Sequence, residues 1–449
     1  MIRFEFKQAA EIVAGQLHLP AERGDAGEFV GMTQDSRTLE RGNLYCALPG
    51  ERVDGHRFVI DAAGAWASAG LVSRVIDAPI AQIVVDDVVH AMGRLARAWR
   101  DSMNVRVAAV TGSNGKTTVK TMLASILRRC APVLATRGNY NNEIGVPLTL
   151  AALGEQHSYG VIEMGCGKPG DIDYLASIAR PEVGVVTNAG PAHLERLGSM
   201  DGVARTKGEL FSALGADGVA VINRDDEYFD YWRDLCTQSR QLAFGRSAQA
   251  DISLEGNDRV VTPAGAFTLE LALPGEHNRM NALAATAAAL ALDIGIDEIA
   301  TGLAAVDSLP GRLSERVMSG GWHLIDDSYN ANPASLYAGM QVLSGRGGQR
   351  WLALGEMGEL GSESERLHRE IGSAAKGLGI ERLFAIGAHA ETVANAFGVR
   401  GEAFGDMDAM ARRIQELMES DVTCLVKGSR SARMEQLIDR LGVGEVESC

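Results

Sequence analysis

The run Thr111-Gly112-Ser113-Asn114-Gly115-Lys116-Thr117-Thr118 constrains this chain more than any other stretch of it. Apolar residues 105–110 precede the run, and a helical pattern over 116–129 follows it. A strand that passes through a glycine loop into a helix is the context a phosphate-binding loop requires. Glycines let backbone N–H groups converge on phosphate oxygens, and the helix N-terminus adds a partial positive charge. Lys116 is then placed to reach the β- and γ-phosphates of ATP, and the Thr117 hydroxyl to ligate Mg²⁺. The general pattern G-x-x-x-x-G-K-[ST] has a glycine where this chain has Val110. A ligand-free glycine turn is the bland alternative, but packing gives little reason for Gly-Lys-Thr-Thr at a helix start.

The rest of the chain repeats the strand-then-helix rhythm. Residues 43–48, 70–73 and 82–85 read as strands, 88–99 as a helix, and 101–104 as a break. Strands then fall at 105–110, 159–163, 183–187 and 218–222, with a small antiparallel excursion over 251–271 and helices at 278–292 and 296–305. The turn Leu309-Pro310-Gly311-Arg312 marks a second break, after which strands at 323–326, 350–354, 382–386 and 423–426 alternate with helices. The expected fold is α/β in three domains: a smaller N-terminal α/β domain at 1–103, a central P-loop ATPase-like parallel sheet at 104–312, and a C-terminal Rossmann-like doubly wound sheet at 313–449.

Composition narrows the partners. A net charge of −15 disfavours nucleic acid, and no run of five Lys/Arg supplies a local basic patch. The six cysteines are scattered without a C-x-x-C, so neither a zinc site nor a redox pair is expected. Residues 1–13 lack a basic segment followed by an apolar one, and the alanine-rich stretch near 282–292 is broken by Thr286 and Asp293. The expectation is a cytoplasmic protein with no membrane insertion, in which nothing demands more than a monomer.

Three further residues bear on the chemistry. Glu163 ends a strand in Val161-Ile162-Glu163-Met164-Gly165, where an inward carboxylate could hold Mg²⁺. His193, in Asn188-Ala189-Gly190-Pro191-Ala192-His193, follows the next strand on the same edge. A lone histidine is more often structural, but the Gly-Pro loop after a strand favours the ligand reading. Lys207, in Ala204-Arg205-Thr206-Lys207-Gly208-Glu209, reads by itself as a solvated surface lysine.

Together, the loop at 111–118, the segment Gly138-Asn139-Tyr140-Asn141-Asn142-Glu143-Ile144-Gly145-Val146-Pro147, and the segments around Glu163, His193 and Lys207 resemble the Mur ligases. These enzymes extend the peptide stem of bacterial peptidoglycan precursors. The resemblance runs over nearly the whole chain. It is narrowest, through Asp35-Ser36-Arg37, Asp54-Gly55-His56, the segment 326–333 and the segment 355–361, to the branch that joins D-alanyl-D-alanine to UDP-N-acetylmuramoyl-tripeptide. The family's own version of the loop lacks the first glycine, which accounts for Val110.

The resemblance implies roles. Lys116 and Arg312 meet the ATP phosphates; Thr117, Glu163 and His193 bind magnesium; and Lys207 is carbamylated beside a second ion. His277, Asn278 and Asn281 meet the adenine, and Asp327 lies near the ribose. Asn139 and Asn142 meet the reacting end of the nucleotide substrate. Ser36 and Arg37 meet its uracil and diphosphate, and Tyr329, Asn330 and Asn332 face the substrates. Residues 427–430 resemble a loop facing the site. The implied reaction is ATP-dependent amide formation through an acyl phosphate. A sister ligase adding one amino acid, a folylpolyglutamate synthetase, a P-loop motor or transporter, and a nucleotide-sensing module are the competing readings.

Overall fold

The computed structural model describes residues 1–20, 27–50, 53–192 and 194–442. The fold is α/β, as expected, and its largest sheet has nine strands. The strand Arg106–Thr111 lies inside it, third from one edge, with Val107 to Val110 fully buried. Such a continuous apolar run suits a strand covered on both faces. Tyr159–Glu163 pairs parallel on one side of it and Val183–Val186 on the other. The chain therefore changes direction across the sheet at this strand. A crevice opens at the carboxyl ends of the strands at such a switch point.

The central sheet extends further than the sequence pattern indicates. Val133–Ala135 forms one edge beside Tyr159–Glu163, and Arg240–Gly245 joins beyond Val219–Asn223. The region read as an antiparallel excursion continues the same sheet. Ile252–Glu255 pairs parallel with Arg240–Gly245, and only then do Arg259–Thr262 and Gly265–Thr268 turn antiparallel.

The first sheet has five strands, three of its four pairings parallel. The helix Val88–Asp101 joins it to the central sheet. Its Val88, Ala91, Met92 and Leu95 enter the first core, and Ala96 enters one core of the central sheet. Ala151 of the helix Gly145–Ala151 belongs to the first core as well. Two polar ties fasten this seam: Trp99 Nε1 donates to the Leu153 carbonyl at 3.0 Å, and the buried Arg100 donates through Nε to the Ala179 carbonyl at 3.1 Å.

The last sheet has six strands, with Ser314–Val317 antiparallel at one edge and the other pairings parallel. Asp327 and Lys427 are register partners at the carboxyl ends of neighbouring strands. These ends and the carboxyl ends of the central sheet line one cavity of about 1080 Å³.

Behind the phosphate loop, the helix Lys116–Arg128 is held from two sides. The helix Glu276–Ala291 presents a buried alanine face, and Gly302 of the helix Ile296–Ala304 lies directly against the backbone of Ile126. A Cβ on Gly302 would stand 2.4 Å from Ile126 Cα, and neither backbone can yield without separating the helices. We expect Gly302→Ala to cost on the order of 1–3 kcal/mol, read as a lower urea midpoint at unchanged slope. An unaltered midpoint would show that the two helices are free to part.

Candidate active site

The phosphate loop owes its shape to the exit of the neighbouring strand. Ser113 N donates to the Asn188 carbonyl at 3.0 Å, and Asn114 N to Asn188 Oδ1 at 3.0 Å. Thr187 Oγ1 donates to the Asn114 carbonyl at 2.6 Å. Ser113 Oγ donates to the Gly190 carbonyl at 3.0 Å and accepts from Gly190 N at 2.8 Å. Gly112 has φ +146°, and a Cβ there would stand 1.8 Å from Thr187 Oγ1. Gly115 has φ +82°, and its Cβ would meet Asn281 Oδ1 at 2.2 Å. Both glycines are required by conformation and by space.

Lys116 folds back over this loop. Its Nζ donates to the Gly112 carbonyl at 2.7 Å and the Ser113 carbonyl at 3.4 Å. The ammonium is pushed down to about 8, by burial first and by Lys207 next. Thr111 Oγ1 donates to the Met164 carbonyl at 2.9 Å, tying the loop to the strand that ends in Glu163. Thr118 is buried one residue beyond Thr117.

Glu163 is 2% exposed and lines the cavity. Its Oε1 accepts from Asn141 Nδ2 at 2.8 Å, whereas its Oε2 is buried and accepts no hydrogen bond. Lys207 is 1% exposed, so the structure removes it from the surface where it reads by itself. Its Nζ lies 3.7 Å from the thiol of Cys166, which lines the cavity, and burial pushes the amine down. His193 lies outside the described residues.

The opposite wall belongs to the last sheet and the turn before it. Arg312 Nη2 donates to Thr117 Oγ1 at 2.9 Å, and its guanidinium stacks on the Tyr329 ring at 4.2 Å. Asn332 caps the helix Pro333–Ser344 through Ser335 N and sends its Nδ2 to Asn114 Oδ1 at 2.8 Å. Lys427 Nζ donates to Asp327 Oδ2 at 2.5 Å and to the Asn330 carbonyl at 2.9 Å. Burial pushes the Asp327 carboxyl up despite this ammonium. Asn278 Nδ2 donates to the Pro274 carbonyl at 2.7 Å, and Asn281 Nδ2 to Asn278 Oδ1 at 3.1 Å, at the start of the helix that carries His277.

The cavity thus gathers residues 113–118, Asn142, Glu163, His277, Asn278, Asn281, Arg312, Asp327, Tyr329, Asn330 and Asn332. Asn142 accepts from Gly145 N at 2.9 Å and so opens the helix Gly145–Ala151. Asn139 is exposed and does not line the cavity. Ser36 and Arg37 lie apart from it as well. Arg37 pairs with Asp35 in a turn of the first sheet, and this holds the Asp35 carboxyl at about 2. Four residues that the sequence reading left without a role shape the site: Thr187, Asn188, Asn141 and the buried Lys120. Lys120 stands four residues after Lys116, on the same helix face, a spacing that by itself does not tell a buried lysine from a solvated one.

Two family models match the chain: the Mur ligase middle domain over residues 110–289 and the "Mur ligase, glutamate ligase domain" over residues 311–430. The chain belongs to the Mur ligase family. It is 40% identical to the UDP-N-acetylmuramoyl-tripeptide–D-alanyl-D-alanine ligase of Escherichia coli (strain K12), over 98% of this chain and 99% of the relative. Its structure is similar to a crystal structure of MurF from Acinetobacter baumannii, with a TM-score of 0.91, 34% identity and 98% of both chains covered. A MurF ligase from Thermotoga maritima in complex with ADP matches with a TM-score of 0.83 and 26% identity, over 92% of this chain and 96% of that one.

His277 lines the cavity and is pushed down to about 4, by burial and then by Lys427. In the unfolded chain it takes its proton near the ordinary value of 6.5. Between those values the unfolded state binds more protons, so stability falls as the pH drops through that window. We expect wild type to lose on the order of 1–3 kcal/mol there, allowing for part exposure, that His277→Gln does not lose. Urea titrations at stepped pH measure the difference, and parallel curves would refute the buried neutral imidazole.

Proposed function

We propose that this chain joins D-alanyl-D-alanine to UDP-N-acetylmuramoyl-tripeptide at the expense of ATP, as an ADP-forming ligase of peptidoglycan precursor synthesis. The observation that carries this reading is the meeting of two strand-end edges over one cavity. The phosphate loop stands on one wall, and Arg312, Asp327 and Lys427 stand on the other. A motor or a sensing module has no use for a second sheet closing on the nucleotide. Likeness over the full chain to a ligase that carries this name supports the dipeptide substrate over a single amino acid or a folate.

The reaction runs in two steps. The tripeptide's terminal carboxylate attacks the γ-phosphorus of ATP, the bond to the β-phosphate oxygen breaks, and an acyl phosphate and ADP result. The free amine of D-alanyl-D-alanine then attacks the acyl carbon, an amide forms, and phosphate leaves with the amine's proton passing to a base. In the first step two anions must approach each other. Lys116 and Arg312 face that approach from opposite walls, and charge neutralisation and positioning are most of what phosphoryl transfer needs.

Magnesium fits the donor set. The buried Glu163 Oε2 has no hydrogen-bond partner, and the Thr117 hydroxyl stands at the loop. Mg²⁺ is ordinarily held by one or two carboxylates plus substrate phosphates and water, not by an all-protein cage. Thr117, Glu163 and His193 are the residues we assign to it, and when bound it supplies charge neutralisation to the phosphates. The Lys207 amine, pushed down by burial, suits addition to CO₂, which forms a carbamate and releases a proton beside a second ion.

His277, Asn278 and Asn281 are assigned to the adenine, and Asp327 to the ribose. Asn139, Asn142, Tyr329, Asn330 and Asn332 are assigned to the reacting ends of the substrates. Ser36 and Arg37, away from the cavity, are assigned to the uracil and diphosphate. ATP and a nucleotide-activated sugar peptide are substrates of the cytoplasm, where we place the enzyme as a monomer. Among the described residues no helix is long and apolar enough to cross a membrane.

Phosphate release that requires both UDP-muramoyl tripeptide and D-alanyl-D-alanine is the expected signature. Lys116→Ala should remain folded by circular dichroism and lose about 10³-fold or more in turnover. Retained turnover in that variant, or release with either substrate alone, would overturn the assignment.

A further inference from the structure

One buried cation beside the cavity is used by none of these roles. Lys120 lies one turn beyond Lys116 on the helix Lys116–Arg128 and is 6% exposed. Its Nζ donates to the Thr136 carbonyl at 2.9 Å and stands 3.4 Å from Glu163 Oε2, the oxygen that accepts no hydrogen bond. The Thr136 hydroxyl in turn accepts from Glu163 N at 2.9 Å. One residue therefore fixes both partners, Lys120 through its carbonyl and Glu163 through its hydroxyl.

Burying a carboxylate without a counter-charge is costly, and a lysine is rarely buried unless paired. Those facts explain a pair but not its geometry. The ammonium donates to the Thr136 carbonyl and stands 3.4 Å from Glu163 Oε2 as a neighbouring charge without a hydrogen bond to it, so that oxygen of a cavity-lining residue has no donor of its own. We propose that Lys120 is a positioning residue that stands in for the metal at Glu163 when nucleotide is away, so that Glu163 takes a divalent ion only together with the phosphates. The proposal rests on the reading of Glu163 as a magnesium ligand.

The electrostatics make the coupling specific. A divalent ion that arrives alone meets the fixed positive charge of Lys120 in a poorly solvated site, where like charges repel strongly. An ion that arrives with a triphosphate brings more negative charge than Lys120 opposes. The helix that carries Lys120 begins at the phosphate loop, so the same element holds both the phosphates and the stand-in cation.

Mn²⁺ is the probe, followed by electron paramagnetic resonance on the full chain with and without the non-hydrolysable analogue AMP-PNP. Wild type should hold Mn²⁺ at least tenfold more tightly with AMP-PNP than without it, and Glu163→Gln should remove most of that gain. Lys120→Met, without nucleotide, should bind Mn²⁺ at least tenfold more tightly than wild type, while Lys120→Arg behaves as wild type. A folded Lys120→Met with wild-type affinity overturns the proposal. Should that variant not fold, Lys120→Gln carries the same expectation. Tight Mn²⁺ binding by nucleotide-free wild type, abolished by Glu163→Gln, overturns the proposal with no lysine variant at all. Indifference of nucleotide-dependent binding to Glu163→Gln instead removes the magnesium role of Glu163 on which the proposal rests.

Discussion

The contact on which the site depends is the one between Gly112 and Thr187. A glycine at φ +146° lets the phosphate loop approach the end of the next strand so closely that no side chain fits between them. Thr187 then turns its hydroxyl onto the Asn114 carbonyl, and Asn188 takes two successive N–H groups of the loop. A loop anchored this way is rigid before nucleotide arrives, and preorganised donors of this kind are what stabilise developing charge. Asp226, which accepts from Ala189 N at 2.8 Å, extends the same scaffold outward.

The three larger sheets meet by two different kinds of contact. The first sheet and the central sheet share apolar cores through the helix Val88–Asp101, and Trp99 and Arg100 tie the seam to backbone carbonyls. The last sheet faces the central one across the cavity, with polar contacts between single side chains: Arg312 to Thr117 and Asn332 to Asn114. Hydrogen bonds can be exchanged for bonds to ligand or water at little net cost, whereas parting an apolar seam exposes its area to solvent. The polar contacts on the phosphate loop are thus the ones that a bound ligand can replace. Arg312 and Asn332 both end on the phosphate loop, so a nucleotide seated there competes directly with the contacts that hold the last sheet in place.

Much of this was legible in the sequence because the strongest signals coincide with the most buried elements. The strand Arg106–Thr111 and the loop after it are set by local rules of sterics and burial that any glycine-rich strand exit must obey. The edge strands Val133–Ala135 and Gly401–Phe404 were not legible: they are short, half-buried and shaped by their neighbours. Lys207 was readable only through the family resemblance, since nothing local distinguishes a buried lysine from a solvated one. Lys120 escaped for the same reason. Its burial is a property of the strands Val133–Ala135 and Tyr159–Glu163 packed over its helix. Ser36 and Arg37 show the converse, a local turn whose pairing with Asp35 is plain but whose ligand is not.

The cavity's own charges leave its lining close to neutral. The protein as a whole has a formal charge of −15. Within the cavity, Lys116, Lys168, Arg196, Arg312 and Lys427 are balanced in number by Glu143, Glu163, Asp171, Asp327 and Glu359 among the described lining residues. His277 is held neutral there over the ordinary range. The lining residues by themselves therefore offer no net positive charge to a triphosphate and a carboxylate that must approach each other. Two of the cations are also committed, Lys427 to Asp327 and Arg312 to the Thr117 hydroxyl. Adding permanent lysines would have met the need at the expense of a site that repels its own walls when empty. The Glu163 oxygen that accepts no hydrogen bond, with the Lys120 ammonium 3.4 Å away, is the group of this wall to which we assign a divalent ion arriving with the phosphates.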